Sequence, residues 1–163
     1  MKKQLANFLT LMNLTAGFLT IVFSINKNFS VAAIILLIAV FLDYLDGKVA
    51  RMLNVESYMG AELDSLADLV SFGVAPAVFL YSNLQTDFLA LFLVFYLIAG
   101  AYRLARFNAM RKKVKGFIGM PITINGLIFP VMYFASAPAG IYYVAVIASS
   151  IFMISTIRFK KVI

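Results

Sequence analysis

Long apolar stretches alternate with short polar breaks along the chain. Six stretches approach the roughly 20 apolar residues that a membrane-spanning helix needs, and they cover residues 6–26, 30–50, 60–83, 87–108, 119–137 and 139–157. Most breaks are short, namely Asn26-Lys27-Asn28, Ser82-Asn83 and Pro138, whereas two are longer, at 51–59 and 109–118. The pattern predicts an all-α fold, an integral membrane bundle of about six transmembrane helices, formed as a single domain over residues 1–163.

Composition agrees with this prediction and narrows the chemistry. The chain is 63% hydrophobic, and its mean hydropathy of +0.96 is far above that of a soluble protein. It contains no cysteine and no histidine. Disulfides, thiolate nucleophiles and histidine general bases are therefore excluded.

The basic residues fall on one side of a six-span topology. They give a net charge of +7 and cluster before span one, at the end of span two, around the break after span four and after span six. Lys27 is alone on the opposite side. By the positive-inside rule, we expect a cell-membrane protein whose termini face the cytoplasm. On such a protein the charge points to anionic membrane lipids and not to nucleic acid.

Acidic residues are concentrated in one short window. Six of the seven in the chain lie between residues 43 and 68, and four of these six are aspartates: Asp43, Asp46, Asp64 and Asp68. In helices, the first two share a face at i, i+3 and the last two at i, i+4. Two antiparallel helices joined at 51–59 would bring all four together. Because clustered carboxylates repel one another, the window predicts a site for hard divalent cations, which prefer oxygen ligands.

Small and basic residues accompany these aspartates. Gly47 and Gly60 have no side chain, so a polar ligand can approach the backbone there. Arg51, which follows Ala50, could bind a phosphate in bidentate fashion. The alternative interpretation is a polar seam between two core helices, although a seam would not need four acids with a single arginine.

The whole window reads D-x2-D-G-x2-A-R-x8-G-x3-D-x3-D and resembles the signature of the CDP-alcohol phosphatidyltransferases. The resemblance implies that the four aspartates bind one or two divalent ions, Mg or Mn, and that Asp68 takes the proton from the acceptor. It also implies that CDP-diacylglycerol is the donor. A further set of residues is predicted to bind this donor: Asn7, Thr10, Asn13, Gly47, Ala50, Arg51, Ser57 and Gly60. For the polar residues of span one, hydrogen bonding between helices is an equally open alternative.

Two later stretches are similar to the phosphatidylserine synthase branch of this family: Ser71-Phe-Gly-Val-Ala-Pro-Ala and Arg103-Leu-Ala-Arg-Phe-Asn. The branch implies transfer of the phosphatidyl group to the hydroxyl of L-serine with release of CMP. Arg103, Arg106 and Asn125 are the candidates for binding serine. The two arginines could instead bind a lipid phosphate or extend to the membrane surface.

Several alternatives remain open at this stage. The same chemistry could use another anionic alcohol, such as glycerol 3-phosphate or an inositol phosphate. Intramembrane carboxylates also mark ion pathways, so an ion-coupled transporter is a rival, while a purely structural scaffold would leave the carboxylates unexplained. The expected partners are CDP-diacylglycerol, L-serine and membrane lipids, and we expect a homodimer.

Overall fold

The computed structural model describes residues 2–53, 57–110 and 117–159, which form helices and one short β pairing. The elements are α1 (Lys2–Ile25), α2 (Phe29–Met52), α3 (Tyr58–Asp68), a π-helical segment (Leu69–Val74), α4 (Ala75–Leu84), α5 (Asp87–Met110), β1 (Phe117–Ile118), α6 (Thr123–Phe134), α7 (Ala139–Ile154) and β2 (Arg158–Phe159). The predicted all-α membrane bundle is confirmed.

The helices differ in their capacity to span a membrane. Four in the described part of the chain are long and apolar enough: Gln4–Ile25, Phe29–Met52, Tyr58–Leu84 and Asp87–Met110. α6 and α7 contain 12 and 16 residues, or about 18 and 24 Å at 1.5 Å per residue, against a hydrocarbon core of about 30 Å. The fifth predicted span is shortened because Gly119 has a left-handed φ of 78° and Pro121 follows it. All six apolar segments are helical, but the last two are shorter than predicted.

Tight turns set the direction of successive helices. Lys27, Gln85 and Ser136 have positive φ values of 60°, 48° and 52°, and each reverses the chain after a helix. The first coincides with a predicted break, the second lies just beyond Ser82-Asn83, and the third lies two residues before Pro138. Short turns make neighbouring helices antiparallel. The starts of α1, α3 and α6 therefore lie at the same end of the bundle as the ends of α2, α5 and α7, which we call the site end.

The third long helix contains a π-helical irregularity with a clear cause. The Ala75 amide donates to the Val70 carbonyl, five residues before it. Pro76 has no amide hydrogen, so it cannot donate to the Phe72 carbonyl four residues before it. The buried Tyr96 hydroxyl donates to that carbonyl instead. At Pro76 the helix therefore forms a π segment, and the Phe72 carbonyl that has no amide partner within the helix is satisfied from α5.

Close approach of α1 to the π segment depends on Gly17. The Ser71 hydroxyl donates to the Asn13 carbonyl at 3.0 Å, and a Cβ on Gly17 would lie 2.6 Å from the Ser71 Cα. Small residues at such crossings are how membrane helices pack without a hydrophobic driving force. This contact fixes the height at which α1 crosses the helix that carries Asp64 and Asp68.

An aromatic core lies beyond the site, towards the opposite end of the bundle. Phe79 packs edge-on against Tyr133 with ring centroids 5.6 Å apart, and Tyr96 packs against Phe129 at 5.9 Å. Of these four residues, all except Tyr133 are fully buried. Large apolar side chains such as Phe18 and Phe41, each 60% exposed, cover the outside, as expected of a surface that faces lipid.

Candidate active site

Three aspartates from two helices form one group. Asp43 on α2 and Asp64 and Asp68 on α3 each offer a carboxylate oxygen, and these oxygens lie within 4.8 Å of one another. Asp43 and Asp64 are half-buried, and Asp68 is 7% exposed. The helical spacing of Asp64 and Asp68 places both on the face of α3 that meets Asp43. The clustering predicted from the sequence is confirmed for these three residues.

Asp46 lies beside this group and not within it. It interacts electrostatically with Asp64 and Asp43, and its carboxylate lies against the Thr10 side chain of α1. It is 5% exposed. Three residues along a helix correspond to a rotation of about 300°, which turns Asp46 from the α3 side of α2 towards α1. Its predicted share in the metal site stays a prediction.

The buried carboxylates have unused binding capacity. Asp68 Oδ1 and Asp46 Oδ2 have no hydrogen-bond partner among the described residues. Buried carboxylate oxygens without partners are unfavourable, and a hard divalent cation is the ligand that such oxygens bind best. The donor set therefore fits a metal ion.

Arg103 supplies positive charge at the site. It lies on α5, is 4% exposed, and interacts electrostatically with Asp68, Asp43 and Asp64. Its guanidinium carbon is 5.4 Å from the centre of the Phe107 ring. Its Nε has no hydrogen-bond partner among the described residues. One arginine beside three carboxylates leaves both a net negative charge for a cation and a free donor for an anion.

Thr123 is a site residue that the sequence interpretation missed. It is the first residue of α6, and its side chain lies against the Asp43 carboxylate. The sequence signal was weak: proline and threonine are both common in the first turn of a helix or just before it. The missing information was that α6 begins next to α2.

The predicted donor-binding residues form a second small group at the site end. Ser57 caps α3, where its hydroxyl oxygen accepts from the Gly60 amide at 3.0 Å. A Cβ on Gly60 would lie 3.1 Å from that oxygen and 3.4 Å from Asn7 Oδ1. The structure thus brings Asn7 of α1 beside Ser57 and Gly60, although Asn7 is far from both in sequence.

The other predicted donor residues line α1 and the end of α2. A Cβ on Gly47 would meet nothing within 4 Å, so this backbone faces open space. Ala50 is half-buried, and Arg51 is exposed in the last turn of α2. Asn13 is fully buried, and neither polar atom of its side chain has a hydrogen-bond partner among the described residues.

Two of the three predicted serine-binding residues have their contacts elsewhere. Arg106 donates to the carbonyls of Met153, Ile154 and Ser155 at the end of α7. Asn125 is fully buried, with its amide 3.8 Å from Met153 Sδ and its side chain against Tyr96. A serine contact of either residue stays a prediction, and Arg103 is the candidate that faces the aspartates.

A polar network joins α3 to α5. Asn108 Nδ2 donates to Ser65 Oγ at 3.0 Å and to Glu62 Oε1 at 3.3 Å, and Ser65 Oγ donates to Asn108 Oδ1 at 3.2 Å. Ser65 follows Asp64 directly. The network therefore holds the helix that carries two of the three clustered aspartates against the helix that carries Arg103.

Comparison with known proteins agrees with this geometry. The sequence model of the family described as CDP-alcohol phosphatidyltransferase matches residues 3–159. The chain is 36% identical over 157 residues to CDP-diacylglycerol–serine O-phosphatidyltransferase of Methanocaldococcus jannaschii, covering 96% of this chain and 74% of that protein. It is 38% identical over 154 residues to the protein of the same name from Bacillus subtilis, covering 93% and 86%. It is also 34% identical over 168 residues to archaetidylserine synthase of Methanothermobacter thermautotrophicus, covering 97% and 70%.

Proposed function

Because the chain belongs to the CDP-alcohol phosphatidyltransferase family, we propose that it transfers the phosphatidyl group of CDP-diacylglycerol to the hydroxyl of L-serine and releases CMP. The chain is then a phosphatidylserine synthase. The observation that carries the chemistry is the group of Asp43, Asp64 and Asp68 beside the buried Arg103, inside an apolar helical bundle. The aspartate and arginine set is expected where a pyrophosphate and an anionic acceptor must meet at a membrane.

Serine as the acceptor is supported by the names of the relatives. The proteins from M. jannaschii and B. subtilis are named for transfer from CDP-diacylglycerol to serine. The protein from M. thermautotrophicus is named for archaetidylserine. The lipid part of the name differs only in the third, whereas serine is common to all three. The acceptor is therefore the better supported of the two substrates.

We propose that Asp43, Asp64 and Asp68, with Asp46 beside them, hold one or two Mg or Mn ions. The unpartnered oxygens of Asp68 and Asp46 support this assignment. When bound, such an ion would neutralise the charge that develops on the departing CMP as the phosphoanhydride bond of the donor breaks. Gly47 leaves the backbone of α2 accessible to the donor, and Asn7, Ser57 and Gly60 lie together as a candidate site for its nucleotide.

Asp68 is the proposed general base, and its burial keeps water away from the reacting hydroxyl. Its carboxylate accepts the proton of the serine hydroxyl as that oxygen attacks the phosphorus bearing the diacylglycerol. The bond from this phosphorus to the CMP oxygen breaks, and CMP leaves. Arg103 interacts electrostatically with Asp68, and its Nε has no hydrogen-bond partner among the residues described. We assign to it the serine carboxylate, which orients the hydroxyl. Holding both substrates in line removes much of the entropic barrier without a covalent intermediate.

We propose that the site end faces the cytoplasm of the cell, where serine and CMP are soluble. Lys48, Arg51, Arg103 and Arg106 lie towards this end, and Lys27 lies at the opposite end, which agrees with the positive-inside rule. The basic run at 111–115 that contributes to the same prediction lies outside the described residues. The single domain and the homodimer stay predictions.

One assay tests the proposal directly. Purified protein in mixed micelles is given CDP-diacylglycerol, Mg or Mn, and one labelled alcohol at a time: L-serine, glycerol 3-phosphate or an inositol phosphate. We expect label in the lipid fraction and stoichiometric CMP with serine alone, and neither after chelation of the metal. Transfer to another alcohol at a higher kcat/KM than to serine would show that serine is not the preferred acceptor, while the proposed phosphatidyl transfer would stand. Failure of all the alcohols would refute the proposal.

A further inference from the structure

The short segment formed by β1 and the residues that join it to α6 is bound tightly to the end of α7. We call residues 117–122 the strap. Residues 117 and 118 pair with 159 and 158 in antiparallel register. The Gly119 amide donates to the Ile157 carbonyl and the Met120 amide to the Phe152 carbonyl, both at 3.0 Å. The strap therefore crosses the end of α7 in a fixed position and leads directly into Thr123.

Arg106 caps the helix end that the strap crosses. Its Nη1 donates to the Ile154 carbonyl at 2.9 Å, and its Nη2 donates to those of Met153 and Ser155 at 3.1 and 3.0 Å. Carbonyls in the last turn of a helix have no partner within the helix, and the helix dipole makes this end negative. A planar guanidinium can satisfy several such carbonyls at once, which a lysine ammonium cannot match in geometry.

Gly119 shows how closely the strap lies against this cap. A Cβ at this position would meet the Met153 carbonyl, would lie 2.8 Å from Arg106 Nη2, and would be 3.2 Å from the Ser155 carbonyl. The residue also has a φ of 78°, which favours glycine. Strap, arginine and helix end thus form one packed unit.

This unit continues into the site. Ile122 is fully buried and packs so closely on α5 that a Cβ on Gly100 would lie 2.5 Å from its Cδ1. The next residue is Thr123, whose side chain lies against the Asp43 carboxylate. A chain of contacts therefore runs from Arg106 through the strap to an aspartate of the acidic group.

We propose that Arg106 is a positioning residue, which acts on the reaction through the strap and Thr123 and does not bind the acceptor itself. The proposal rests on the proposed function only in taking Asp43 as part of the reactive site. The proposal assigns different roles to two arginines that lie three residues apart on α5. Arg103 interacts electrostatically with the aspartates, and its buried Nε has no hydrogen-bond partner in the part of the chain that the structure describes. Arg106 instead donates to the carbonyls at the end of α7.

A double-mutant cycle of Arg106→Gln and Thr123→Val tests this, because Arg106→Gln removes the guanidinium that caps α7 and Thr123→Val replaces the hydroxyl with a methyl group of similar size. If Arg106 acts through Thr123, the two effects on kcat overlap. The kcat of the double variant should then lie within about twofold of the kcat of the slower single variant. We expect Arg106→Gln to lower kcat about tenfold or more with the serine KM changed less than threefold, and Arg106→Lys to recover part of the loss. The proposal would be overturned if the loss of kcat in the double variant equalled the product of the losses in the two single variants. It would also be overturned if Arg106→Gln raised the serine KM tenfold at unchanged kcat.

A second measurement does not depend on activity. Amide hydrogen exchange at Gly119 and Met120 reports whether the strap is held. Arg106→Gln is expected to speed exchange at both amides at least tenfold, while Thr123→Val, which lies after the strap, leaves them unchanged. Unchanged exchange in Arg106→Gln would overturn the proposal. If Arg106→Gln does not fold, Arg106→Lys takes its place in the cycle and in the exchange measurement.

The outcome is separable from that of the proposed function. If the wild-type protein transfers no phosphatidyl group to serine but uses another alcohol, the proposed acceptor fails. The same cycle is then measured with that alcohol, and the exchange experiment is unaffected.

Discussion

Replacement of Gly47 by alanine should lower activity while leaving the stability of the protein unchanged or higher. Gly47 lies in the interior of α2, and an added Cβ would meet nothing within 4 Å. The folded protein therefore has room for the methyl group. Alanine in a helix interior is favoured over glycine by about 0.5–1 kcal/mol, so the thermal midpoint of Gly47→Ala should be unchanged or higher.

Activity should respond differently because the open space beside Gly47 is where we place the pyrophosphate of the donor. A methyl group there would displace the donor by about 1 Å, and a misplacement of this size can lower the rate of an aligned reaction about 100-fold. We expect kcat/KM for CDP-diacylglycerol to fall about 10- to 100-fold. The KM for serine should stay within about threefold of wild type, because Gly47 is not among the residues that face Arg103.

The assay is release of CMP in mixed micelles at varied donor and saturating serine, with thermal unfolding measured on the same preparation. Gly140→Ala is the matched control, because a Cβ on Gly140 also meets nothing within 4 Å but Gly140 lies on α7, at the end of the bundle away from the site. It should keep full activity. Full activity and an unchanged donor KM in Gly47→Ala would refute the assignment of this open space to the donor.

Three further changes test other parts of the site. Asp68→Asn keeps the shape of the side chain but removes the base, so kcat should fall about 10²- to 10⁴-fold while CDP-diacylglycerol binding, measured by equilibrium dialysis, survives; near-normal turnover would exclude Asp68 as the base. Arg103→Ala should raise the serine KM about 10- to 100-fold, the range for a lost charged hydrogen bond, and an equal rise in the donor KM would assign Arg103 to the lipid instead. Tyr96→Phe should lower the free energy of unfolding by about 1–3 kcal/mol, since it leaves the buried Phe72 carbonyl unpaired. Tyr81→Phe, which removes an exposed 3.4 Å bond to Asp87, should change stability much less, and equal losses in the two would contradict this account of the π segment.

The local spacing of the aspartates carried most of the site prediction. Asp64 and Asp68 are four residues apart, so any helix places them on one face, whatever surrounds it. The break at 51–59 between two apolar stretches made it reasonable to place Asp43 opposite them. The length and hydropathy of the first four stretches likewise required membrane-spanning helices, because a backbone in lipid must satisfy its own hydrogen bonds.

The last two helices show where the hydropathy pattern was insufficient. Residues 119–137 are apolar enough to span, but a window average does not register that Gly119 is in a left-handed conformation or that 117–122 pairs with the end of α7. Those bonds join segments more than 30 residues apart. Their formation depends on how the complete bundle packs, which no local window contains.

The roles of polar residues within the bundle were decided by the tertiary structure. Arg103 and Arg106 are three residues apart on one helix and carry the same charge, yet one faces three carboxylates and the other caps α7. Thr123 reaches Asp43 because α6 begins beside α2. Sequence periodicity gives the relative direction of side chains along one helix, but it does not give the rotation of that helix or the identity of its neighbours. Since a buried polar group is defined by the partner it meets, only the packed structure could assign these roles.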